Sequence, residues 1–163
     1  MPPDIRICLR IAVAVCIVGC AAVLSAQGAP ASLPDRARGA ERVVVGRVAS
    51  SQSVWRVNEQ GDRLIVSVLR VVASETLKGD IQSTIDVEVE GGTIGDLTLK
   101  VSDLPALGPG DRAVFYLRRN VRGVMVPHGR GEGLLKLDPS DRVPGTSLTL
   151  DEVRRTVRAA AVP

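Results

Sequence analysis

Cysteine and histidine are scarce in this sequence. The three cysteines, Cys8, Cys16 and Cys20, all lie within the first 20 residues, and His128 is the single histidine. The chain beyond residue 26 therefore has no cysteine pair for a disulfide and no thiol to bind zinc or act as a nucleophile. One histidine cannot form a metal-ligating pair, and nothing in the sequence singles out one of the serines as a nucleophile for it to activate. We therefore expect no catalytic residue, no bound metal and no cofactor, and a fold stabilised by its hydrophobic core alone.

Aromatic side chains are almost as rare, because the chain has one Trp, one Tyr and one Phe. Phe115 shares one face of a strand-like run with Ala113 and Leu117, which predicts a core position. Trp55 and Tyr116 remain for recognition, whereas proteins that bind single-stranded nucleic acid stack successive bases on aromatic rings. The sequence therefore argues against nucleic acid as a partner. Trp55 is the best single candidate for a contact residue, and the alternative is that it covers one end of the fold.

The N-terminus has the features of an export signal. Arg6 and Arg10 precede residues 11–26, which are apolar apart from one serine. A basic start followed by a short apolar run is typical of a secretory signal peptide, whereas a membrane-spanning helix needs about 20 apolar residues. We therefore expect residues 1–26 to be a signal peptide and the protein to be exported to the periplasm or the extracellular space. An uncleaved N-terminal anchor is the alternative.

The position of cleavage has two interpretations. Residues 17–20 (IVGC) are similar to the lipobox of bacterial lipoproteins, in which the cysteine, here Cys20, is acylated and becomes the first mature residue. The apolar run continues past Cys20, however, and cleavage near Ala26 or Gly28 leaves the small residues that an ordinary signal peptidase requires. We favour ordinary secretion, with a lipid-anchored envelope protein as the alternative. The membrane is then a partner only through the signal peptide or a lipid on Cys20.

The charge balance of the remaining chain is nearly even. Residues 1–26 hold two of the 21 basic and one of the 18 acidic side chains, so their removal leaves a net charge of +2. The charges are interspersed, whereas a nucleic-acid-binding protein clusters basic residues on one face. Residues 27–40 are rich in Pro, Gly and Ala and have no periodicity, which predicts a flexible linker. The rest is long enough for one domain with a core of its own.

Alternation of apolar and polar residues predicts strands over most of this domain. The clearest case is residues 84–90 (TIDVEVE), where Ile85, Val87 and Val89 point to one face. Residues 42–57 form a β-branched run that changes phase at Gly46, which predicts a bulge or bend. Further strands are predicted at residues 63–73, 97–101 (with Leu97, Leu99 and Val101 inward), 112–119, 121–127 and 133–137.

Only the C-terminal segment has the spacing of a helix. Thr149 and Glu152 form a capping-box pattern, and Leu150, Val153 and Val157 recur at helical spacing. Six or seven strands separated by Gly/Pro turns predict an all-β fold, a small and mainly antiparallel β-barrel over residues 41–139. Residues 140–163 are predicted as a linker and the one C-terminal helix.

Four segments carry a resemblance to a known family. In chain order they read RVVVGRVAS, SETLKGD, TIDVEVEGGTIGDLTLKV and LGPGDRAVFYLRR, and the resemblance spans about residues 41–118. They resemble a set of small exported bacterial domains, which are similar to the netrin-like (tissue-inhibitor-of-metalloproteinase) version of the OB-fold barrel. The resemblance implies an OB-like, netrin-like barrel. Inhibitors of that class place an N-terminal disulfide-bonded cysteine on a protease's zinc. The mature chain has no disulfide, so no functional residue is carried over.

The glycine-rich loop after residue 90 (GGTIGD) is the next candidate site. A phosphate-binding loop needs a lysine in register and must open a helix, whereas a strand-like run follows here. The loop is therefore interpreted as a hairpin or bulge, with Asp96 outside. Because a turn at a barrel rim can present a contact surface, Gly91, Gly92 and Asp96 join Trp55 and Tyr116 as candidates for an interaction surface.

The acidic residues Asp86, Glu88 and Glu90 share one face of their strand. Carboxylates are ligands that calcium favours, but same-face neighbours stand about 6.5 to 7 Å apart along a strand, too far for a compact cage. We interpret them as a solvated outer face.

These patterns predict an exported, non-enzymatic β-barrel that acts as a protein-interaction or accessory module with an unknown protein partner. The alternative is an inhibitor or companion of an exported peptidase, suggested by the resemblance alone. A hydrolase whose site the sequence does not reveal is the third hypothesis.

Overall fold

The computed structural model describes residues 31–58 and 61–160. The predicted signal peptide and the candidate lipidation site Cys20 lie outside these residues. The elements in chain order are α1 (Leu33–Gly39), β1 (Arg42–Val57), β2 (Arg63–Lys78), β3 (Thr84–Glu90), β4 (Gly92–Ile94), β5 (Leu97–Leu99), β6 (Arg112–Arg119), β7 (Met125–Pro127), a 3-10 helix (Arg130–Gly133), β8 (Leu134–Leu137) and α2 (Leu150–Ala160).

Five strands close into a ring. β1, β2, β3, β7 and β6 are neighbours in that order, and β6 pairs again with β1, while β8 extends the ladder along β6. The ladders are antiparallel except that between β3 and β7, where Val87 lies beside Met125 in parallel. The five strands therefore form a closed, barrel-like ring. The predicted small β-barrel with a C-terminal helix is confirmed, although the sheet is mixed where the sequence predicts a mainly antiparallel one.

The predicted bend in the first strand is confirmed at Gly46. The register between β1 and β2 shifts on either side of this residue. A Cβ atom at Gly46 would lie 2.5 Å from Val71 Cγ1 and 2.9 Å from the carbonyl oxygen of Val72. Only glycine therefore permits this close approach of the two strands. The bend lets residues 42–47 pair with β6 and close the ring, while the rest of β1 continues with β2 alone.

The barrel interior is one of two hydrophobic clusters. Phe115 lies there with Ala113 and Leu117, so the predicted core position of Phe115 is confirmed. The inward residues of β3 contribute as their alternation predicts. The buried members of this cluster are Val44, Val48, Leu69, Val71, Ile85, Val87, Val89, Ala113, Phe115, Leu117, Met125 and Leu134.

The second cluster lies outside the ring, where the two helices cover β1 and β6. It consists of Ala37, Ala40, Val43, Val45, Val114, Tyr116, Leu135, Leu137, Leu150, Val153 and Val157. Because both faces of β1 and β6 are buried here, these strands have continuous apolar runs rather than alternation. The capping box of α2 is confirmed, since the Thr149 hydroxyl accepts from the Glu152 N–H at 3.3 Å and Glu152 Oε2 accepts from the Thr149 N–H at 2.8 Å.

The prediction of a flexible linker over residues 27–40 is wrong for α1. Ser32 caps this helix by accepting a hydrogen bond from the Asp35 N–H, and proline lies in its first turn. Ala37 and Ala40 are buried in the outer cluster, and Lys78 Nζ donates to the carbonyl oxygens of Ala37 and Ala40 at 2.7 and 2.6 Å. The segment is therefore part of the domain.

The prediction that Tyr116 contributes to an interaction surface is also wrong. Its side chain is 0% exposed and packs in the outer cluster beneath the helices, so it cannot contribute to an interaction surface. Its hydroxyl has no hydrogen-bond partner within the described residues. Burial raises the pKa of Tyr116 to about 12, a shift that the nearby charge of Arg36 partly opposes.

Candidate functional site

A cleft of about 450 Å³ lies on the outer face of β2 and β3. We call it the arginine cleft, and it is lined by Arg56, Val57, Asn58, Leu64, Val66, Glu88, Glu90, Leu104, Arg118, Asn120, Val121, Arg122, Val126, Pro127 and Arg130. The cleft lies between the end of β1 and residues 120–124, the loop that joins β6 to β7.

The floor of the cleft follows from strand alternation. Leu64 and Val66 point outward from β2, and Glu88 and Glu90 point outward from β3, where Glu90 pairs with Val66. On the opposite side, Val126 of β7 lies beside Arg118 of β6 in the antiparallel ladder. The period of two therefore places apolar and charged side chains on the same outer surface.

The loop between β6 and β7 forms one wall and is held by Asn120. The Asn120 side-chain oxygen accepts from the N–H groups of Arg122 and Val124 at 2.9 and 3.0 Å. Gly123 has a φ of 76°, a left-handed conformation that glycine adopts without strain. These contacts fix the loop so that Val121 and Arg122 face the cleft.

Glu88 joins the two sides of the cleft. Its carboxylate accepts from Arg56 Nε of β1 at 2.9 Å and from Arg122 Nη2 of the loop. Glu88 is only 6% exposed, so the prediction that it belongs to a solvated outer face is wrong. A carboxylate can be buried in this way because two guanidinium groups replace its water. Nothing local in the sequence signals this burial, because both arginines lie more than 30 positions away in the chain.

Arg130 forms the far end of the cleft. Its Nη2 donates to Glu90 Oε2 at 3.0 Å, and its Nε lies 3.5 Å from Asp103 Oδ2. Its φ of 57° places its backbone in the left-handed region, which is uncommon for a residue with a side chain. The next residue, Gly131, packs so closely on the Asp103 carbonyl that a Cβ atom would clash with it. Tight packing of the 3-10 helix thus holds Arg130 in place.

Arg118 differs from the other three arginines of the cleft. Its side chain is exposed and makes no hydrogen bond or ion pair within residues 31–58 and 61–160, although its backbone pairs with Val126 in the sheet. Two glutamates offset two of the four positive charges, which leaves the cleft with a net charge of +2. A guanidinium group that is not engaged can bind a carboxylate or another anion through two parallel hydrogen bonds.

The predicted interaction surface is not brought together in one place. Trp55 is half-buried, shares a face of the β1–β2 ladder with Ile65, and stacks under the Arg63 guanidinium at 4.3 Å. It adjoins Arg56 in the chain but does not line the arginine cleft.

The glycine loop forms a hairpin, as the sequence predicts. β4 and β5 pair with each other as a separate two-stranded sheet. Gly92 has a φ of 138°, and a Cβ atom there would lie 2.6 Å from Ser67 Oγ. Gly91 and Gly92 line a second cavity of about 640 Å³ beside the barrel, not the arginine cleft. Asp96 is exposed as predicted, but Leu97 is exposed too, so its predicted inward position is wrong.

His128 packs against the end of α1, outside the cleft-lining set. Its ring lies so close to Gly39 that a Cβ atom at that position would clash with it, and its Nδ1 has no partner within the described residues. Burial lowers the pKa of His128, and the positive charges of Arg118 and Lys78 lower it further. Within residues 31–58 and 61–160, no group of three His, Cys, Asp or Glu side chains is placed to hold a metal ion.

No family model matches the chain, and no curated protein matches it in sequence. In the part of the chain that the structure describes, neither helix is long and apolar enough to cross a membrane.

Proposed function

We propose that this chain is an exported, non-enzymatic small β-barrel that acts as a protein-interaction or accessory module in the cell envelope, and that it binds its partner through the arginine cleft. The observation that carries the proposal is the combination of an unengaged arginine side chain, Arg118, with exposed apolar side chains at the edges of the cleft. Val57 and Val121 line the cleft and are 60% and 83% exposed. Apolar side chains left in water beside a charged group are a feature of interaction sites.

The lining of the cleft favours a protein over a nucleic acid. Trp55, Phe115 and Tyr116 are the three aromatic residues of the chain, and none of them lines the cleft. Base stacking on aromatic rings is a main source of affinity for single-stranded nucleic acid. Aliphatic side chains next to arginine suit a protein surface instead, since arginine is enriched at protein interfaces.

Export remains part of the proposal, with cleavage near Ala26 or Gly28 and a lipid on Cys20 as the alternative. The intact mass of the mature protein distinguishes the two routes. Ordinary cleavage gives a polypeptide mass that begins after residue 26 or 28. A chain that begins at Cys20 and carries a diacylglycerol increment would establish the lipid-anchored form.

The second candidate is an inhibitor or companion of an exported peptidase. It rests on the netrin-like resemblance of residues 41–118 alone, and we propose the netrin-like relationship on the same grounds. The test is to add the purified protein to metalloprotease and serine-protease assays. Inhibition at stoichiometric concentration would favour this candidate, whereas unchanged rates would remove it.

The leading proposal is tested by site-specific photo-crosslinking in the cells that export the protein. A photoreactive amino acid replaces Val121 on the cleft rim in one variant and Ile81 in a second. Ile81 is a matched control because it is also apolar, is 88% exposed and does not line the cleft. We expect position 121 to crosslink to one defined protein that mass spectrometry identifies, and position 81 not to do so.

Two results would contradict the proposal. The first is that position 121 gives no crosslinked protein, and the second is that both positions give the same set of proteins. Identical sets would show that the crosslinks report abundance in the envelope and not recognition by the cleft.

A further inference from the structure

The arginine cleft has one positive charge that the fold does not use. Arg56 and Arg122 both bind Glu88, and Arg130 binds Glu90, so these three cations are held by carboxylates of the same cleft. Arg118 has no such partner among the described residues. The unengaged side chain therefore presents a single cationic anchor to whatever enters.

The surroundings of that anchor are aliphatic. Leu64, Val66, Leu104, Val126 and Pro127 line the cleft between its charged groups. A compact polyanion such as phosphate is held by several converging donors. Here the donors of three arginines already face glutamates, and one guanidinium remains. One carboxylate attached to an aliphatic group matches this lining better than a multiply charged ion does.

The rim indicates how such a ligand is arranged. The two exposed apolar side chains come from different elements, Val57 from the end of β1 and Val121 from the loop between β6 and β7. A ligand that covers both crosses the cleft and does not end inside it. An extended peptide segment has this form, because its side chains alternate in direction and can reach both rims.

We propose that the arginine cleft binds an extended segment of a protein partner, in which an Asp or Glu side chain pairs with Arg118 and neighbouring aliphatic side chains cover Val57 and Val121. This proposal rests on the proposed function, because it names the chemistry of the partner at the same cleft. The partner's segment is acidic and aliphatic, complementary to a cleft of net charge +2.

The test uses the full chain, purified in the form that the expressing cell produces, and a phage-displayed library of random 12-residue peptides held between flanking sequences. Such peptides have no free C-terminal carboxylate, so any acid they contribute is a side chain. We expect the selected peptides to be enriched in Asp or Glu next to Val, Ile or Leu. A synthetic copy of one selected peptide then serves as the probe in binding measurements.

Two variants isolate the role of Arg118. Arg118→Gln removes the proposed anchor, and Arg155→Gln is the matched control, since Arg155 is exposed on α2, lies outside the cleft and has no ion pair among the described residues. We expect the affinity for the probe to fall at least tenfold in Arg118→Gln and less than twofold in Arg155→Gln. Replacing the acidic residue of the probe by its amide should cause a similar tenfold loss.

Several outcomes would overturn the inference. These are selected peptides without acidic residues, no enriched peptide at all, equal losses in the two variants, or displacement of the probe by inorganic phosphate at low millimolar concentration. Binding of the protein to anionic lipid vesicles that Arg118→Gln abolishes would assign the anchor to a lipid instead. If position 121 crosslinks to a partner while Arg118→Gln leaves that crosslink unchanged, the proposed function stands and the acidic segment does not.

Discussion

The two outer faces of the barrel each bury an ionisable side chain, but they differ in the partners that this side chain has. On the helix-covered face, Tyr116 is fully buried among apolar residues, and its hydroxyl has no partner within the described residues. On the cleft face, Glu88 is nearly as buried, but two arginines bind its carboxylate. One face is closed by α1 and α2, and the other is left open to solvent.

The difference shows which face stabilises the fold and which face is available for binding. A neutral hydroxyl can be enclosed by helices at a modest cost, whereas a carboxylate must keep its charge partners. Those partners, Arg56 and Arg122, are partly exposed side chains that reach across the surface and shape the cleft. Burying Glu88 therefore creates a charged site on the outside of the barrel, while burying Tyr116 leaves no site.

The largest expected effect is on the helix-covered face. Leu150→Ala removes a buried side chain that anchors α2 against the barrel, so we expect the free energy of unfolding to fall by about 2–5 kcal/mol. Leu64→Ala, in the half-buried lining of the cleft, is the comparison and should cost less. Urea denaturation followed by circular dichroism measures both. Equal losses would mean that the cleft face carries as much of the stability as the helical face.

The next effect is on the cleft face. Glu88→Gln keeps the shape of the side chain but removes the charge that binds Arg56 and Arg122, so we expect a loss of about 2 kcal/mol in stability. Asp86→Asn is the matched control, since Asp86 lies on the same strand and face and pairs with Arg70, but both groups are exposed. Its effect should be much smaller, because solvent screens an exposed pair. A loss in Asp86→Asn as large as that in Glu88→Gln would count against the special role of Glu88.

Tyr116→Phe should have a smaller effect, of the opposite sign. It removes a buried hydroxyl that lacks a partner, and we expect stability to rise by about 1 kcal/mol at neutral pH. A destabilised variant would reveal a hydrogen bond that the hydroxyl makes after all.

The same residue predicts a pH dependence. Because burial raises the pKa of Tyr116 from its usual 10.0 to about 12, the folded chain keeps this proton at pH values where the unfolded chain has lost it. Titration of this group therefore leaves stability unchanged below about pH 10 and lowers it as the pH rises to about 12. Unfolding measured across this range should show a steeper decline in the parent protein than in Tyr116→Phe. Parallel curves would contradict the raised pKa.

The smallest effect is expected at Arg118. Because this side chain is exposed and has no ion pair among the described residues, Arg118→Gln should change stability by less than about 0.5 kcal/mol. Thermal unfolding of the variant and the parent protein provides the measurement. A clear destabilisation would show that Arg118 stabilises the fold. A loss of peptide binding in that variant would then not show that Arg118 contacts the peptide.

Much of the barrel could be predicted from the sequence, because alternation and glycine positions are local signals. The strand at residues 84–90 and the bend at Gly46 are examples. α1 could not be predicted from periodicity, since its seven residues span barely two turns and show no regular spacing of apolar residues. The Ser32 cap followed by Pro34 and Asp35 is the local signal that could have revealed it.

The cleft could not be predicted in the same way. Glu88 looks like any outward polar residue of a half-buried strand, and its arginines come from β1 and from the loop after β6. Tyr116 fails for a related reason. On a strand buried on both faces, alternation no longer separates inside from outside, and only the packing of α1 and α2 decides.

The ring closes between β3 and β7 through one parallel pair, Val87 with Met125. This junction has fewer paired residues than any other in the ring. The arginine cleft lies directly over it, because Glu88 follows Val87 and Arg122 binds Glu88 from the loop before Met125. Local opening of a protein begins where few contacts must break. A ligand bound in the cleft would hold β3 and β7 together, so the amide hydrogen exchange of Met125 and Val126 should slow on binding. Amide hydrogen exchange in β7 would then show whether the cleft is occupied.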